Sequence, residues 1–240
     1  MKLPREFYLR DGLTVARELI GKKLVTNLRD GLTSGIIVET EAYMGKLDAA
    51  AHSYRGLTER TKIFYGAGGF VYVYLIYGRN LCTNVVANVE NVPEAVLIRA
   101  LEPVDGIELM KIRRGKQPAL KAGEQLVLPE TISQTENYRR NFYRGDGRSS
   151  SGCGDEANQR RLRATILRDL CSGPGKLSQA LGVTKDFYGA DLCSDEIFIE
   201  ATDVQVQIAA TKRINVDYAG EAANYPWRFV AVGNKFVSVK

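Results

Sequence analysis

Residues 23–43 read KLVTNLRDGLTSGIIVETEAY, and this stretch predicts the central β-hairpin of the fold. Asp30–Gly31 is a two-residue turn signal that separates two strand-like runs, Lys23–Arg29 and Leu32–Tyr43. The second run is apolar in its middle and ends in carboxylates and an aromatic ring. We therefore expect a long hairpin strand that delivers reactive side chains to the rim of a sheet.

Three side chains at the end of this strand, Glu39, Glu41 and Tyr43, share one face because side chains alternate along a strand. A buried carboxylate needs a partner. Arg99 is the candidate, because it directly follows the apolar run Val96–Leu97–Ile98 of another predicted strand. A Glu and an Arg with a water between them can hold and deprotonate that water. The same pair can also be a structural ion pair, and the spacing does not decide between the two.

A second strand-like run, YVYLIYG at 72–78, contains three tyrosines. Tyr72 and Tyr74 share a face, whereas Tyr77 points the other way in a regular strand. His52, the only histidine of the chain, falls in a polar, glycine-rich loop. Carboxylates beside several rings suggest a site that grips a flat molecule and does acid–base chemistry on it. The alternatives are ordinary strand packing for the tyrosines and an inert loop position for the histidine.

The remaining pattern predicts an α+β fold built on a curved, mostly antiparallel sheet with hairpins and flanking helices. Helices are expected at 13–22 and 104–114, and further strands at 70–77, 81–87, 95–101 and 204–209. A second hairpin is expected from 228–232 and 235–239 around Gly233–Asn234. Consecutive hairpins favour antiparallel pairing over repeated βαβ units. We expect one domain over residues 1–240.

Composition narrows the class of protein without fixing its function. The net charge of +5 and the pI of about 9.0 suit an anionic partner but are weak support for one. The first ten residues have no apolar signal-peptide core, and no stretch approaches the ~18 apolar residues that a membrane helix needs. The four cysteines are too far apart for zinc-binding CxxC pairs. We expect reduced thiols in an intracellular protein and no structural metal.

Residues 116–165 are predicted to form a basic, flexible insertion. From Arg139 to Arg168 there are eight arginines, no lysines and three acids, a net charge of +5 that equals that of the whole chain. This segment is either solvated surface or a flexible arm that contacts phosphates. No aromatic ladder accompanies the arginines, which favours solvated surface.

The sequence SGPGK at 172–176 predicts a turn that opens a helix. Free main-chain amides and Lys176 at a helix start can bind a phosphate, although capping alone explains the turn equally well. The stretch is not a P-loop, because Leu177 follows Lys176 where that motif has Ser or Thr.

Taken together, these motifs resemble the alkyladenine (3-methyladenine) DNA glycosylase family, also called methylpurine DNA glycosylases. The matching stretches are ETEAY at 39–43, AAH at 50–52, YVYLIYG at 72–78, Asn84, VLIRALEP at 96–103, SGPGKLSQALG at 172–182, RINVDYAGE at 213–221 and PWRF at 226–229. They occur in the family's order and cover nearly the whole chain except the insertion.

The resemblance implies a role for each matching residue in hydrolysis of an N-glycosidic bond. Glu41 would be the general base that activates water for attack on C1′ of a flipped nucleotide, and Arg99 would help to hold that water. The main-chain carbonyl near Ile197 would be a third water contact.

The same resemblance implies how a damaged purine would be bound. Tyr43 and Tyr74 would sandwich the extruded base, and His52 would contribute at its edge. Tyr77 would wedge into the duplex, and Asn84 would discriminate against the amino group of normal guanine. Flipping is required because C1′ cannot be reached inside a stacked duplex.

The implied enzyme is monofunctional, because no lysine lies in the pocket motifs to form a Schiff base. It would need no metal or organic cofactor, act as a monomer on double-stranded DNA without membrane contact, and start base excision repair. Its place would be the bacterial cytoplasm, associated with the nucleoid, or a eukaryotic nucleus. The sequence does not rank 3-methyladenine, 7-methylguanine, hypoxanthine and ethenoadenine as substrates. Two alternatives stay open: a hydrolase of free nucleosides, and a non-catalytic binder of damaged DNA.

Overall fold

A computed structural model describes residues 1–76, 78, 80–116 and 165–238. Its helices are α1 (Arg5–Tyr8), α2 (Gly12–Leu19), α3 (Ile107–Arg113) and α4 (Pro174–Ala180), and residues 165–170 are also helical. Its strands are β1 (Lys23–Leu28), β2 (Gly31–Tyr43), β3 (Val71–Ile76), β4 (Asn80–Ala87), β5 (Glu94–Pro103), β6 (Ile197–Glu200), β7 (Ile208–Thr211) and β8 (Arg228–Ala231). The predicted insertion at 116–165 lies almost entirely outside the described residues.

The sheet confirms the predicted α+β class with antiparallel pairing. Over the described ranges it has eight strands, six of which lie in the order β3-β4-β5-β2-β1-β6, and all the pairs are antiparallel. The predicted central hairpin is present, with Leu28 paired to Gly31 across the turn. Gly31 adopts a φ of 130°, a conformation that favours glycine.

Strand β2 is the branch point of the sheet. Along one edge it pairs with β5, whereas its other edge pairs first with β1, over Gly31–Ile36, and then with β8, over Glu39–Glu41. The pairing with β5 shifts register between Ile37 and Thr40, which is the mark of a β-bulge. One strand therefore brings residues from the C-terminal part of the chain to the carboxylates at its end.

Two helices cover the sheet and hold β2 and β5 in place. Helix α2 begins after Asp11, whose side chain accepts a hydrogen bond from the Thr14 amide at 2.9 Å, as an N-cap does. Its buried face, which includes Val15 and Leu19, packs on β2 and β5, while α4 packs on β4 and β5. The core beneath both helices is one continuous cluster of buried hydrophobic side chains.

Three sequence-based predictions of secondary structure were wrong in detail. The second hairpin is absent from the described residues, because β8 pairs with β7 and β2 while 235–238 form a turn and loop. The strand predicted at 204–209 instead begins at Ile208. The helix predicted from 104 begins at Ile107, after Gly106 takes a φ of 69°.

In the described ranges, no helix is long and apolar enough to span a bilayer.

Candidate active site

The end of β2 presents its polar side chains on one face, as predicted. Thr40 faces α2, where its hydroxyl donates to the Ala16 carbonyl at 2.7 Å, while the residues on either side of it point away. Glu39 and Glu41 both have 0% exposure, and the Tyr43 hydroxyl donates to Oε2 of Glu41 at 2.8 Å. The two carboxylates have different partners, which assign them different roles.

Glu39 is the centre of a buried ion cluster. Its Oε1 accepts from Nε of Arg99 at 2.9 Å and from Nε of Arg228 at 2.8 Å, and its Oε2 accepts from the Ser238 amide at 2.7 Å. Burial by itself would raise the pKa of Glu39, but Arg99, the Ser238 amide and Arg228 outweigh burial and lower it. Glu39 is therefore the structural partner that holds both arginines in place.

Glu41 is surrounded by donors from three separate segments. Besides the Tyr43 hydroxyl, the Ile214 amide donates to Oε1 at 2.7 Å, and Nη1 of Arg99 lies 3.4 Å from the same oxygen. Arg99 thus bridges the two carboxylates, with its short bond to Glu39 and its longer contact to Glu41. A carboxylate held in one orientation beside a guanidinium is suited to accept a proton from a water.

A small pocket with a cavity volume of about 40 Å³ opens beside Tyr43, whose hydroxyl bonds to Glu41. It is lined by four of the predicted base-binding residues together with aromatic and small side chains: Tyr43, Ala50, Ala51, His52, Ser53, Phe64, Tyr72, Tyr74, Asn84, Ala95 and Tyr218. The pocket's walls combine ring faces and edges with the polar groups of His52, Ser53 and Asn84, which suits a flat heterocycle.

The rings of β3 differ in their roles. Tyr72 is 1% exposed and packs on Phe64, with ring centroids 4.4 Å apart, so it belongs to the core as well as to the pocket wall. Tyr74 is half-buried and stacks on Tyr72, with centroids 5.5 Å apart and planes at 25°. Tyr77 lies outside the described residues.

His52 is exposed at the mouth of the pocket and bonds to the tyrosine hydroxyl behind it. Its Nδ1 is 2.9 Å from the Tyr72 hydroxyl, and its ring meets the Tyr74 ring edge-on, with centroids 4.5 Å apart. Desolvation by these rings and the charge of Arg60 lower the pKa of His52 to about 4. The imidazole is therefore neutral at physiological pH.

Asn84 lies on β4, opposite Tyr72 on β3, and its amide is oriented by the strand itself. Its Nδ2 donates to the main-chain carbonyl of Tyr72 at 3.1 Å, and the Asn84 side chain is nearly buried. The Asn84 amide is thus a fixed polar group in the wall of the pocket.

A wider groove runs from the pocket past α4. Four cations line it, namely Arg60, Arg99, Arg114 and Lys176, of which Arg99 pairs with Glu39 and Glu41, and Arg114 and Lys176 pair with Asp169. Lys176 and Lys116 both form ion pairs with Asp169. Burial by itself would raise the pKa of Asp169, but the two lysines outweigh burial and lower the pKa to about 2. A phosphate at Lys176 would therefore compete with an ionised Asp169.

Two important residues escaped the sequence-based prediction, namely Asp48 and Arg213. Their side chains have 0% exposure and form a two-pronged ion pair, and Arg213 also donates to the main-chain carbonyl of Ala42 at 2.9 Å. The guanidinium lies 4.8 Å from the centroid of the Tyr43 ring, within cation–π range. Arg213 is the first residue of the motif RINVDYAGE, which the sequence analysis had identified. Only the fold shows that its partner is Asp48.

Ile197 is not brought to Glu41, so its predicted water contact is corrected. Ile197 is paired with Thr26 in the β1–β6 ladder, and Thr26 is paired with Thr33 of β2. Thr33 is eight residues before Glu41, roughly 26 Å at about 3.3 Å per residue. The main chain beside Glu41 belongs instead to Ile214.

Comparison with known proteins finds similarity to one protein family along nearly the whole chain. A family model described as methylpurine-DNA glycosylase matches residues 6–148 and 150–235, which include nearly all of the predicted insertion. A protein of Alkaliphilus oremlandii (strain OhILAs) is 42% identical over 242 residues, with 100% of both chains covered. One of Desulfitobacterium hafniense (strain Y51) is 39% identical over 241 residues, covering 100% of this chain and 99% of that protein. One of Bacillus cereus (strain G9842) is 42% identical over 248 residues, covering 100% of both. All three bear the name "Putative 3-methyladenine DNA glycosylase".

Proposed function

The chain belongs to the methylpurine-DNA glycosylase family, and on that premise we propose that it releases alkylated or deaminated purines from duplex DNA by hydrolysing the N-glycosidic bond. The relatives carry the name of a 3-methyladenine DNA glycosylase and come from bacteria, so the proposed place of action is the bacterial chromosome. The observation that carries the proposal is that Glu41 bonds to Tyr43 of the aromatic pocket and contacts Arg99, which lines the adjoining groove.

Glu41 acts as the general base in the proposed reaction. It accepts a proton from water as the oxygen of that water forms a bond to C1′, and the bond between C1′ and the purine nitrogen breaks with its electron pair leaving on the base. Arg99 holds the water against the carboxylate, while Glu39 keeps Arg99 in place. A cationic alkylated purine is already a good leaving group, so little acid catalysis is required of the protein.

The aromatic pocket supplies binding energy for the flipped base. Tyr43 and Tyr74 sandwich the purine, at about 1–3 kcal/mol of stacking per base, and Asn84 disfavours the amino group of normal guanine. Tyr77 fills the space that the flipped nucleotide leaves in the duplex. Lys176 and the other cations of the groove contact the backbone.

The proposed enzyme leaves an abasic site without cleaving the strand. None of the described residues that line the pocket is a lysine, so no amine is at hand to attack C1′ there. Lys176, in the adjacent groove, is held by Asp169. Treatment with borohydride during the reaction should therefore trap no covalent complex.

The direct test is to incubate the protein with methylated duplex DNA and to measure freed purines by mass spectrometry. We expect free methylated purine and an abasic strand that breaks only after alkali treatment. Free methylated nucleoside serves as the control substrate. Equal release from nucleoside and duplex would indicate a nucleoside hydrolase, and tight lesion binding without release would indicate a binder; either result contradicts the proposal.

A further inference from the structure

Arg213 is a buried cation whose neighbours converge on the candidate base Glu41. The residue after it, Ile214, donates its amide to Oε1 of Glu41 at 2.7 Å. The guanidinium of Arg213 lies 4.8 Å from the centroid of the Tyr43 ring, and the hydroxyl of that ring donates to Oε2 of Glu41 at 2.8 Å. Each oxygen of Glu41 is therefore held by a donor that Arg213 supports, one through the main chain and one through a ring.

The guanidinium is itself fixed by four hydrogen bonds to groups among the described residues. Two go to the carboxylate of Asp48, and the others go to the main-chain carbonyls of Ala42 at 2.9 Å and Ala222 at 3.1 Å. Ala42 lies near the end of β2, whereas Ala222 belongs to the C-terminal segment 217–224. A planar guanidinium presents its donors as a rigid fork, so these bonds leave it one orientation.

Asp48 extends this connection to the loop that follows β2. Its Oδ1 also accepts from the Ala50 amide at 3.0 Å, and its Oδ2 accepts from the Met44 amide at 3.1 Å. Ala50 lines the pocket. Since Asp48 and Arg213 are 165 residues apart in the sequence, the pair joins the pocket loop to the C-terminal part of the chain.

Neither member of the pair lies where a substrate would bind. Both side chains have 0% exposure, and neither residue is among those that line the pocket or the groove. Any effect on the reaction must therefore pass through neighbouring groups. Apolar side chains of similar size often replace a buried ion pair without loss of stability, so stability alone does not explain two charges at this place.

We propose that Asp48 and Arg213 are positioning residues for Glu41. The pair holds the Ile214 amide and the Tyr43 hydroxyl against the two oxygens of that carboxylate, and so fixes the direction in which it accepts a proton. This role rests on the proposed function, in which the proton comes from the attacking water. A misplacement of about 1 Å can cost roughly 100-fold in rate. A pair that only stabilised the fold would leave the rate of the folded enzyme unchanged.

The test replaces the pair by apolar side chains, Asp48→Leu together with Arg213→Met, which leaves no buried charge unpaired. Single-turnover excision from methylated duplex is measured over a range of enzyme concentrations. We expect the maximal rate to fall about 10- to 100-fold, with a much smaller change in the enzyme concentration that gives half of it. Chemical denaturation of the same samples establishes that the variant is folded.

The matched control removes another two-pronged ion pair, Asp30–Arg113, beside the turn between β1 and β2. Arg113 donates to both carboxylate oxygens of Asp30, and neither residue is among those that line the pocket or the groove. Asp30→Leu together with Arg113→Met should excise at the parent rate. If the first double variant does not fold, Arg213→Lys takes its place, because lysine keeps a cation beside Asp48 without the rigid fork and should also lower the maximal rate.

A second readout asks whether the loss passes through Glu41. In the Glu41→Gln background, removing the pair should change the residual maximal rate less than about threefold, because the group that the pair orients no longer accepts a proton. An equal loss in both backgrounds, or a folded variant with a maximal rate within threefold of the parent, would overturn the positioning role alone. A parent that releases no purine would refute the proposed function and this role with it.

Discussion

Replacing Glu41 by glutamine should stop base release while leaving DNA binding and the fold nearly intact. Loss of a general base typically costs about 10²–10⁴-fold in rate. Glutamine has the shape of glutamate but cannot accept a proton from water at neutral pH. We therefore expect single-turnover excision to fall by at least about 100-fold, with affinity for lesion-containing duplex close to that of the parent.

The contacts of Glu41 explain why the fold should tolerate this change. The amide oxygen of glutamine can keep the bond from the Ile214 amide, and its NH₂ group can donate to the Tyr43 hydroxyl, which is able to accept. Arg99 keeps its short bond to Glu39 and so is not left without a carboxylate. The expected cost in the free energy of unfolding is about 1–2 kcal/mol, from weaker hydrogen bonds to a neutral group.

The assay is single-turnover excision from methylated duplex, with chemical denaturation of the same samples. Glu102→Gln is the matched control, because Glu102 is a strand carboxylate bonded to Asn234 rather than to the pocket residues. That control should excise at the parent rate. Excision by the Glu41 variant within tenfold of the parent would refute the general-base role. A loss of stability well above 2 kcal/mol would refute the assumed rearrangement of hydrogen bonds.

Three further predictions test other parts of the molecule. Tyr77→Ser should weaken binding to lesion-containing duplex without unfolding the protein, because the wedge no longer stabilises the extruded state; equal signals from a fluorescent base reporter in variant and parent would contradict this. Deletion of residues 120–163 should leave a folded, active enzyme, since Lys116 and Asp169 already join the two ends of the gap. If the segment contacts phosphates, the log–log salt slope of binding to undamaged DNA should become shallower by roughly 0.9 per lost contact, whereas an unchanged slope means solvated surface. Arg213→Met should lower the free energy of unfolding by about 3–5 kcal/mol by leaving Asp48 buried without its partner, and the double variant with Asp48→Leu should lose less; a single-variant loss below 1 kcal/mol in denaturation would show that this pair is not structurally important.

Much of the sheet could be predicted from local sequence pattern. The Asp30–Gly31 turn and the alternation of β2 are short-range signals, and the structure reproduces the hairpin. The second hairpin prediction failed because Gly233–Asn234 is an equally good turn, but β8 finds better partners in β7 and β2. Turn chemistry fixes where a chain reverses, whereas pairing depends on distant strands.

The candidate site was predictable only where its residues carry distinctive side chains. Glu41, Tyr43 and Tyr74 were identified from the ends of strands and from a family motif, and the structure brings them together with Arg99. The contact at Ile197 was misassigned because it involves the main chain, which has no sequence signature. The main-chain group that lies beside Glu41 is the Ile214 amide instead.

The sequence by itself determined most of the strands from β1 to β5, the turn between β1 and β2, and which side chains share a face, because these follow from the period of two residues and from glycine conformations. Only the tertiary structure decided which donors surround each carboxylate. Because β2 also pairs with β8, Arg228 reaches Glu39, from which it is 189 residues away in the sequence. The main chain at Ile214 reaches Glu41 across 173 residues of sequence. Two glutamates on one strand face are identical in pattern, and the donors that the fold places around them make Glu39 a structural anchor and Glu41 the candidate base.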